Sequence, residues 1–370
     1  MTRPGWSARA QLPQFPWDKL EPYGKKARQH PGGIVDLSIG TPVDPTPALV
    51  QAALAQAADA PGYPLTIGTP VLREALVSWV SRRLGAEVTT AQVVPSIGSK
   101  ELVSLLPSLL GLAPGSRVLI PRLAYPTYDV GARLAGCVPV AVEDPTAEDP
   151  AGVSMVWLNS PSNPTGEVLS VDRLTAIVEW ARAHDVLVAS DECYLELGWE
   201  AEPVSVLDPR VSGGDATGLL ALHSLSKRSN LAGYRAGFAV GDTDAVAAVI
   251  EARKHIGLLV PAPVQAALVA ALGDDEHVTV QKALYRARRT TLRAAVERAG
   301  FTVSHSEAGL YLWATRGEDC WATIDALAAV GLLAAPGAFY GDDGAQHVRL
   351  ALTATDERID AAVDRLAALA

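Results

Sequence analysis

Residues 218–240 have the sequence GLLALHSLSKRSNLAGYRAGFAV, in which one lysine stands between two apolar segments of strand length. The first segment is GLLAL (218–222) and the second is AGFAV (236–240). A lysine amine beside a buried strand loses hydration, which costs free energy unless another group compensates. The stretch therefore predicts two buried strands with a polar site between them, formed around Lys227 and Arg235.

Apolar segments of strand length alternate with helical patterns through the first two thirds of the chain. The other strand segments are IVDLSIG (34–40), VVPSI (93–97), RVLIP (117–121), VPVAVE (138–143), VSMVWLN (153–159) and VLVAS (186–190), and the helical patterns include 70–84, 99–111, 171–184 and 243–256. Strands that alternate with helices form parallel pairs joined by crossovers. The pattern predicts an α/β fold with a mainly parallel sheet that is covered by helices on both faces.

The sequence pattern changes after about residue 275. A long arginine-rich helix is predicted over 275–299, followed by the short strands FTVSHSE, LYLWAT and HVRLALTA and a last helix over 356–369. We predict a large domain over residues 41–275. Residues 1–40 and 276–370 are predicted to form a smaller α/β domain with an N-terminal arm.

The composition excludes several classes of protein. Hydrophobic residues make up 49% of the 370 residues, charged residues 19%, and the formal net charge is −10, which argues against disorder and against nucleic acid as a partner. The three cysteines show neither disulfide nor metal-ligand spacing, and no signal peptide or membrane-spanning run is evident. We expect a soluble cytoplasmic protein that binds small molecules, without a metal.

Distinctive polar residues follow five of the predicted strands. They are Gly98, Ser99 and Lys100 after VVPSI, Tyr125 after RVLIP, Asn163 after VSMVWLN, Asp191 and Tyr194 after VLVAS, and Ser224, Ser226, Lys227 and Arg235 after GLLAL. Ligands of open parallel sheets bind beyond the carboxyl ends of the strands. The sequence therefore predicts one site that gathers these residues.

The residue types at this predicted site suit a particular ligand. A desolvated lysine such as Lys227 is a nucleophile toward an aldehyde, and Gly98 to Lys100 at a helix start, with Ser224, Ser226 and Arg235, suits a phosphate. Asp191 can keep a ring nitrogen protonated, Tyr125 can stack on a ring, and Asn163 and Tyr194 can bond a ring oxygen. Together these groups describe pyridoxal 5′-phosphate (PLP). Taken singly, Ser99 and Asp191 could be helix caps and Tyr125 a core aromatic, so the prediction rests on their joint occurrence.

Four motifs resemble the fold-type I aminotransferases, the aspartate aminotransferase superfamily, and the likeness covers nearly the whole chain. The motifs are SLSKRSNLAGYRAGF, NSPSNPTG, SDECY and YPLTIGTPVLREA. The resemblance implies PLP fold type I, with a seven-stranded, mainly parallel sheet and a smaller α/β domain. It also implies a homodimer with shared active sites, in which Tyr63 reaches the phosphate of the neighbouring subunit.

The same resemblance implies a role for each site residue. Lys227 is the lysine that bonds the cofactor and moves the substrate proton, Asp191 pairs with the pyridine nitrogen, and Asn163 and Tyr194 bond the phenolic oxygen. Tyr125 stacks on the ring, and the phosphate lies among Gly98, Ser99, Lys100, Ser224, Ser226 and Arg235. Arg349 in HVRLALT matches the arginine that binds the substrate α-carboxylate, with Asn163 and the backbone of Gly40 beside it.

More narrowly, six blocks resemble the N-succinyldiaminopimelate aminotransferases of lysine biosynthesis. The blocks are DLSIGTPVDP, AYPTYDVGARLAG, SDECYLELGW, SLSKRSNLAGYRAGF, VPAPVQAALVAALGDD and HSEAGLYLWAT. The resemblance implies amino transfer between glutamate and N-succinyl-2-amino-6-oxopimelate. Arg228 and Lys100 depart from the broader pattern and would add positive charge near the cofactor, although Arg228 is equally well interpreted as a structural salt-bridge partner.

Three alternatives remain open at the level of sequence. The first is an aminotransferase for aspartate, an aromatic amino acid or another diaminopimelate precursor. The second is a PLP-dependent C–S lyase, which would release ammonia and pyruvate from a cysteine conjugate. The third is a PLP-binding regulator without turnover, which the acidic charge and the lack of a DNA-binding segment disfavour.

Overall fold

The computed structural model describes residues 12–369, so that the first eleven residues of the predicted N-terminal arm lie outside it. The strands are β1 (Val35–Asp36), β2 (Val93–Ile97), β3 (Arg117–Pro121), β4 (Val138–Val142), β5 (Val153–Asn159), β6 (Leu187–Asp191), β7 (Leu219–Ser224), β8 (Ala236–Gly241), β9 (Thr302–Ser304), β10 (Tyr311–Thr315), β11 (Leu332–Leu333), β12 (Ala335–Pro336) and β13 (His347–Ala351). The helices are α1 (Glu21–Ala27), α2 (Ala48–Gln56), α3 (Pro70–Leu84), α4 (Ser99–Leu109), α5 (Thr127–Leu134), α6 (Val171–Ala183), α7 (Pro209–Ser212), α8 (Leu225–Arg228), α9 (Thr243–Ile256), α10 (Ala262–Leu272), α11 (Glu276–Arg298), α12 (Cys320–Ala329) and α13 (Asp356–Leu366).

A seven-stranded sheet forms the centre of the molecule, in the order β2-β8-β7-β6-β5-β3-β4. Strand β8 is antiparallel to both of its neighbours, and the other pairs are parallel. Successive side chains of a strand point to opposite faces, and β7 shows this directly. Leu219 and Ala221 join one buried core, while Leu220 and Leu222 join the core on the other face. The predicted α/β fold with a mainly parallel, doubly covered sheet is confirmed.

The helices that cover the sheet begin and end at residues suited to those positions. At α3 the Thr69 hydroxyl accepts the Leu72 N–H at 3.2 Å, Pro70 occupies the first turn, and Gly85 ends the helix at φ 66°. At α9 the Asp242 carboxylate accepts two N–H groups, and Gly257 ends the helix at φ 74°. These caps satisfy terminal backbone groups that have no partner within the helix. They explain why the predicted bounds 70–84 and 243–256 agree with the structure.

The C-terminal part of the chain has its own sheet and core. Strands β12, β13, β10 and β9 form an antiparallel sheet, and β1 pairs in parallel with β11. The segment 34–40, predicted as a strand, is extended only over Val35–Asp36, because the Asp36 carboxylate accepts the Ser38 N–H and hydroxyl and turns the chain. The turn leaves Gly40 at the edge of the large sheet. The division into domains at 40/41 and 275/276 stays a prediction.

Within residues 12–369, no helix is both long and apolar enough to cross a membrane, and no cluster of potential metal ligands occurs. The thiols of Cys137, Cys193 and Cys320 are free. Cys137 and Cys320 are buried, whereas Cys193 is half-buried at the edge of the sheet where the polar residues gather.

Candidate active site

A cavity of about 920 Å³ opens at the carboxyl edge of the large sheet, where the sequence predicted a site. Its lining includes the predicted residues Gly40, Ser99, Lys100, Tyr125, Asn163, Asp191, Tyr194, Ser224, Ser226, Lys227, Arg235 and Arg349. The parallel strands β3, β5, β6 and β7 all end at this edge, which explains how residues far apart in sequence meet there. Gly98 and Tyr63 do not line it, although Gly98 lies against the guanidinium of Arg235, which does.

Lys227 is placed at the cavity by the short helix α8, which begins where β7 ends. The Ser224 hydroxyl accepts the Ser226 N–H at 3.2 Å and so starts that helix. The Lys227 amine donates a hydrogen bond to the carbonyl oxygen of Gly40. Burial lowers the pKa of Lys227, which increases the fraction of neutral, nucleophilic amine.

Asp191 is a buried carboxylate at the end of β6. The Tyr128 hydroxyl donates a hydrogen bond to Asp191 Oδ2 at 2.9 Å, and the Cys193 N–H donates one to Oδ1 at 3.3 Å. Burial raises the pKa of Asp191, and these hydrogen bonds oppose the increase. In the part of the chain that the structure describes, no basic side chain lies within ion-pair distance of Asp191. A cationic ring nitrogen would supply the missing opposite charge.

An anion site with suitable donors lies where α4 begins. Gly98 has φ 68°, and a Cβ atom there would lie 2.4 Å from a guanidinium nitrogen of Arg235. Arg235 itself has φ 56°, in the left-handed region, and lies before the antiparallel strand β8. The guanidinium therefore lies close over the start of α4, where free N–H groups favour an anion. This cradle has the chemistry that a phosphate group requires.

Arg349 is a buried arginine at the centre of β13, only 2% exposed. Its two terminal nitrogens donate to Asn163 Oδ1 at 2.8 Å and to the Ser38 carbonyl at 2.6 Å. The guanidinium carbon lies 3.8 Å from the ring centre of Tyr311. Among residues 12–369 no carboxylate pairs with it, and a buried charge without a counter-ion is costly. The geometry favours an anionic ligand at this point.

Several side chains at the cavity were not predicted from sequence. Tyr128 is one of them, and its hydroxyl donates a hydrogen bond to Asp191. The Tyr311 hydroxyl lies 3.1 Å from that of Tyr194, and the Cys193 thiol donates to the Ser99 hydroxyl at 3.0 Å. Tyr128 lies in α5, whereas Tyr125 precedes that helix, so their spacing does not indicate a shared helix face. Tyr128, Tyr311 and Cys193 therefore carry no local signal in the sequence.

Two residues discussed at the level of sequence lie away from the cavity. Tyr63 is 97% exposed on the surface. Arg228 is buried at 5% exposure, pairs with Glu196 and lies 5.5 Å from the ring of Trp79. Arg228 does not line the cavity, and its guanidinium is paired with Glu196, so the hypothesis that it adds charge near the cofactor stays untested. Its interpretation as a structural salt-bridge partner agrees with the structure.

The family is decided by a comparison that covers nearly the whole chain. The model of the family described as aminotransferase class I and II matches residues 33–366. The chain belongs to the class I and II aminotransferases. Members of this family use PLP. The buried Asp191, the anion site at Gly98 and Arg235, and the desolvated Lys227 fit that cofactor. The predicted family, cofactor and aminotransferase activity are thereby confirmed.

Relatives of this aminotransferase carry several names. The 4-dedimethylamino-4-oxo-anhydrotetracycline transaminase OxyQ of Streptomyces rimosus is 57% identical over 96% of this chain and 99% of its own length. A probable aminotransferase of Mycobacterium tuberculosis is 60% identical over 96% of this chain and 86% of its own. The solved N-succinyldiaminopimelate aminotransferase of Mycobacterium tuberculosis is 29% identical with a TM-score of 0.82, covering 95% of this chain and 99% of that one. All three are named as transaminases or aminotransferases; the first and the third name different substrates, and the second names none.

Proposed function

We propose that this aminotransferase moves an amino group between glutamate and N-succinyl-2-amino-6-oxopimelate. The observation that carries the proposal is the buried Arg349, whose guanidinium has no acidic partner in the described chain and faces the same cavity as the Lys227 amine. Arginine binds a carboxylate through two parallel hydrogen bonds, and both substrates contain an α-carboxylate. An amine and a carboxylate site in one cavity suit exchange of an α-amino group.

The charge of the cavity supports a substrate with several carboxylates. Its described basic residues are Lys100, Arg122, Lys227, Arg235 and Arg349, and its acidic residues are Asp129 and Asp191. Asp129 and Arg122 are already paired, with Arg133 and Asp343 respectively. The remaining excess of positive charge favours an anionic ligand over a neutral one.

In the proposed mechanism, PLP supplies a carbonyl carbon that carries the amino group and a protonated ring that accepts electrons. Asp191 holds the proton on the ring nitrogen, and Tyr128 holds Asp191 through its hydroxyl. Asn163 and Tyr194 would hold the phenolic oxygen of the cofactor, and Tyr125 would pack on its ring. Lys227 Nζ would act as the base that takes the α-proton of the amino donor and as the acid that gives a proton back. Arg349 orients the substrate through its α-carboxylate.

We also propose that two copies of the chain assemble with shared sites. Tyr63 is 97% exposed, and the apolar neighbours Leu65 and Val71 are 56% and 61% exposed. Large apolar side chains that cluster on a surface are typical of interaction sites. In a homodimer the Tyr63 hydroxyl would reach the phosphate of the other subunit, which would explain why it does not line the cavity of its own chain.

A ketone with fused rings is a second candidate substrate. The Streptomyces rimosus relative is named for transamination of an oxo-anhydrotetracycline. The cavity of the present chain has an aromatic wall formed by Phe15, Trp17, Tyr125 and Phe339. Flat apolar surfaces of this kind can stack on a ring system. Such a ketone has no α-carboxylate, so its reaction would not depend on Arg349.

A half-reaction screen tests the proposed pair of substrates. The aldehyde form of the purified enzyme is mixed with single amino donors, and the absorbance spectrum of the cofactor is followed. We expect both glutamate and N-succinyl-LL-diaminopimelate to convert the cofactor to its amine form. A response to aromatic amino acids alone would show that the proposed substrate is wrong, and ammonia and pyruvate released from a cysteine conjugate would indicate a lyase.

Replacing Arg349 tests the proposed carboxylate site. Arg349→Lys keeps the charge but loses the two-pronged geometry, so the apparent affinity should fall for glutamate and for the succinylated substrate together. We expect a loss of about 2–3 kcal/mol in kcat/KM, the size of a charge-assisted hydrogen bond. PLP content and melting temperature should stay unchanged, as in the surface control Arg133→Lys. A lower melting temperature with normal kinetics would instead assign Arg349 a structural role.

A further inference from the structure

One buried hydroxyl, on a residue that lines the cavity, has no hydrogen-bond partner among residues 12–369. It belongs to Tyr340, which lines the cavity and is 3% exposed. The other buried tyrosines all have partners: Tyr128 bonds Asp191, Tyr194 and Tyr311 bond each other, and Tyr285 bonds Asn230. Leaving a buried hydroxyl without a partner costs about 1–3 kcal/mol. A group kept at that cost inside a binding cavity is a candidate for ligand recognition.

The ring of Tyr340 is held rigidly in place. It packs edge-on against Trp17 at 6.4 Å and against Trp313 at 6.1 Å. Its carbonyl oxygen accepts the Ala124 N–H at 2.8 Å, and Gly341 behind it has φ 140°. A Cβ atom on Gly341 would lie 2.3 Å from the carbonyl oxygen of Arg122. The hydroxyl is therefore fixed in position before any substrate binds, which reduces the entropy cost of recognition.

Tyr340 and Tyr311 both pack close to Arg349, but they have different neighbours. The guanidinium carbon of Arg349 is 3.8 Å from the ring centre of Tyr311 and 5.0 Å from that of Tyr340. Tyr311 contacts Tyr194 and approaches Gly40, which bonds Lys227, so it belongs to the reacting end of the cavity. Tyr340 contacts Trp17 of the N-terminal arm instead. A substrate whose α-carboxylate binds Arg349 would extend the far end of its chain toward Tyr340.

We infer that the Tyr340 hydroxyl donates a hydrogen bond to an oxygen in the distal chain of a long substrate, such as an amide carbonyl or a carboxylate. Burial raises the pKa of Tyr340, so the hydroxyl stays protonated and acts as a donor at neutral pH. The neighbouring guanidinium offers only donors, so it cannot satisfy the hydroxyl proton. The inference rests on the proposed function and deepens it, because it names a residue for the succinyl end of the substrate.

Tyr340→Phe tests this assignment because it removes only the oxygen. We expect kcat/KM for N-succinyl-LL-diaminopimelate to fall about tenfold, while the glutamate half-reaction stays within about twofold of the wild type. Since the hydroxyl has no partner in the folded chain, its removal should leave the melting temperature unchanged or raise it. The control Tyr23→Phe, on helix α1, should change neither quantity. Equal losses for both substrates, or a lower melting temperature with unchanged kinetics, would overturn the inference.

A second pair of probes keeps this test separate from the proposed substrate. N6-acetyl-lysine and norleucine share an unbranched four-carbon side chain, but only the first continues into a distal amide with an oxygen. As inhibitors of the glutamate half-reaction, acetyl-lysine should bind the wild type more tightly, and Tyr340→Phe should lose that preference. If the wild type ignores the succinylated substrate yet prefers acetyl-lysine, the proposed substrate fails and the Tyr340 assignment stands. Lack of any preference in the wild type overturns the assignment.

Discussion

Lys227→Ala should abolish turnover, with a loss on the order of 10⁴-fold or more, because it removes the group that bonds the cofactor and moves the proton. The phosphate cradle of Gly98 and Arg235 is separate from the amine, so the variant should still bind PLP. Folding should be little affected, since within residues 12–369 the amine donates only to the Gly40 carbonyl.

The matched control for this prediction is Lys254→Ala. Lys254 is exposed on α9 and pairs with Glu251 at 2.9 Å, so its loss should leave activity and PLP content unchanged. Steady-state rates and cofactor content are measured on both variants. Turnover by Lys227→Ala at more than about a hundredth of the wild-type rate would contradict the assigned role of the lysine.

Asp191→Asn should slow proton abstraction on the order of 10²-fold or more, because the side chain no longer holds the proton on the pyridine nitrogen. In the wild type the Tyr128 hydroxyl lies 2.9 Å from Asp191 Oδ2, and asparagine keeps an oxygen that can accept this hydrogen bond. Asp191→Glu keeps the charge and should be milder. Stopped-flow measurement of the glutamate half-reaction, with a deuterated α-carbon to isolate the proton step, gives the rate.

Stability distinguishes this role of Asp191 from helix capping. Burial raises the pKa of Asp191 above its value in the unfolded chain, so the ligand-free protein loses stability as the pH rises through the folded pKa. Asn removes that penalty, and the ligand-free variant should be at least as stable as the wild type at neutral pH. An Asn variant nearly as active as the wild type would show that the carboxylate does not lie at the ring nitrogen.

Those parts of the fold and site that depend on local pattern could be predicted from sequence. Each apolar segment that formed a strand of the large sheet is bounded by polar or turn residues, and parallel order brings the strand ends together. Lys227 and Asp191 each follow directly from such a strand, so strand prediction alone placed them at the same edge.

The remainder depends on contacts between distant parts of the chain. Tyr340 reaches the cavity because β13 and β12 pair beside Arg349, and Tyr311 reaches it because β10 pairs with β13. No short-range periodicity encodes these pairings. The ion pair of Arg228 with Glu196 likewise joins two separate segments, which a sequence motif does not specify.

Borohydride reduction followed by peptide mapping tests the central claim most directly. Reduction of the purified, PLP-loaded enzyme fixes the cofactor covalently to the amine that carries it, and mass spectrometry identifies the labelled lysine. We predict the label on the peptide that contains Lys227. A label on Lys100, which also lines the cavity, or on Lys254 would contradict the proposed site.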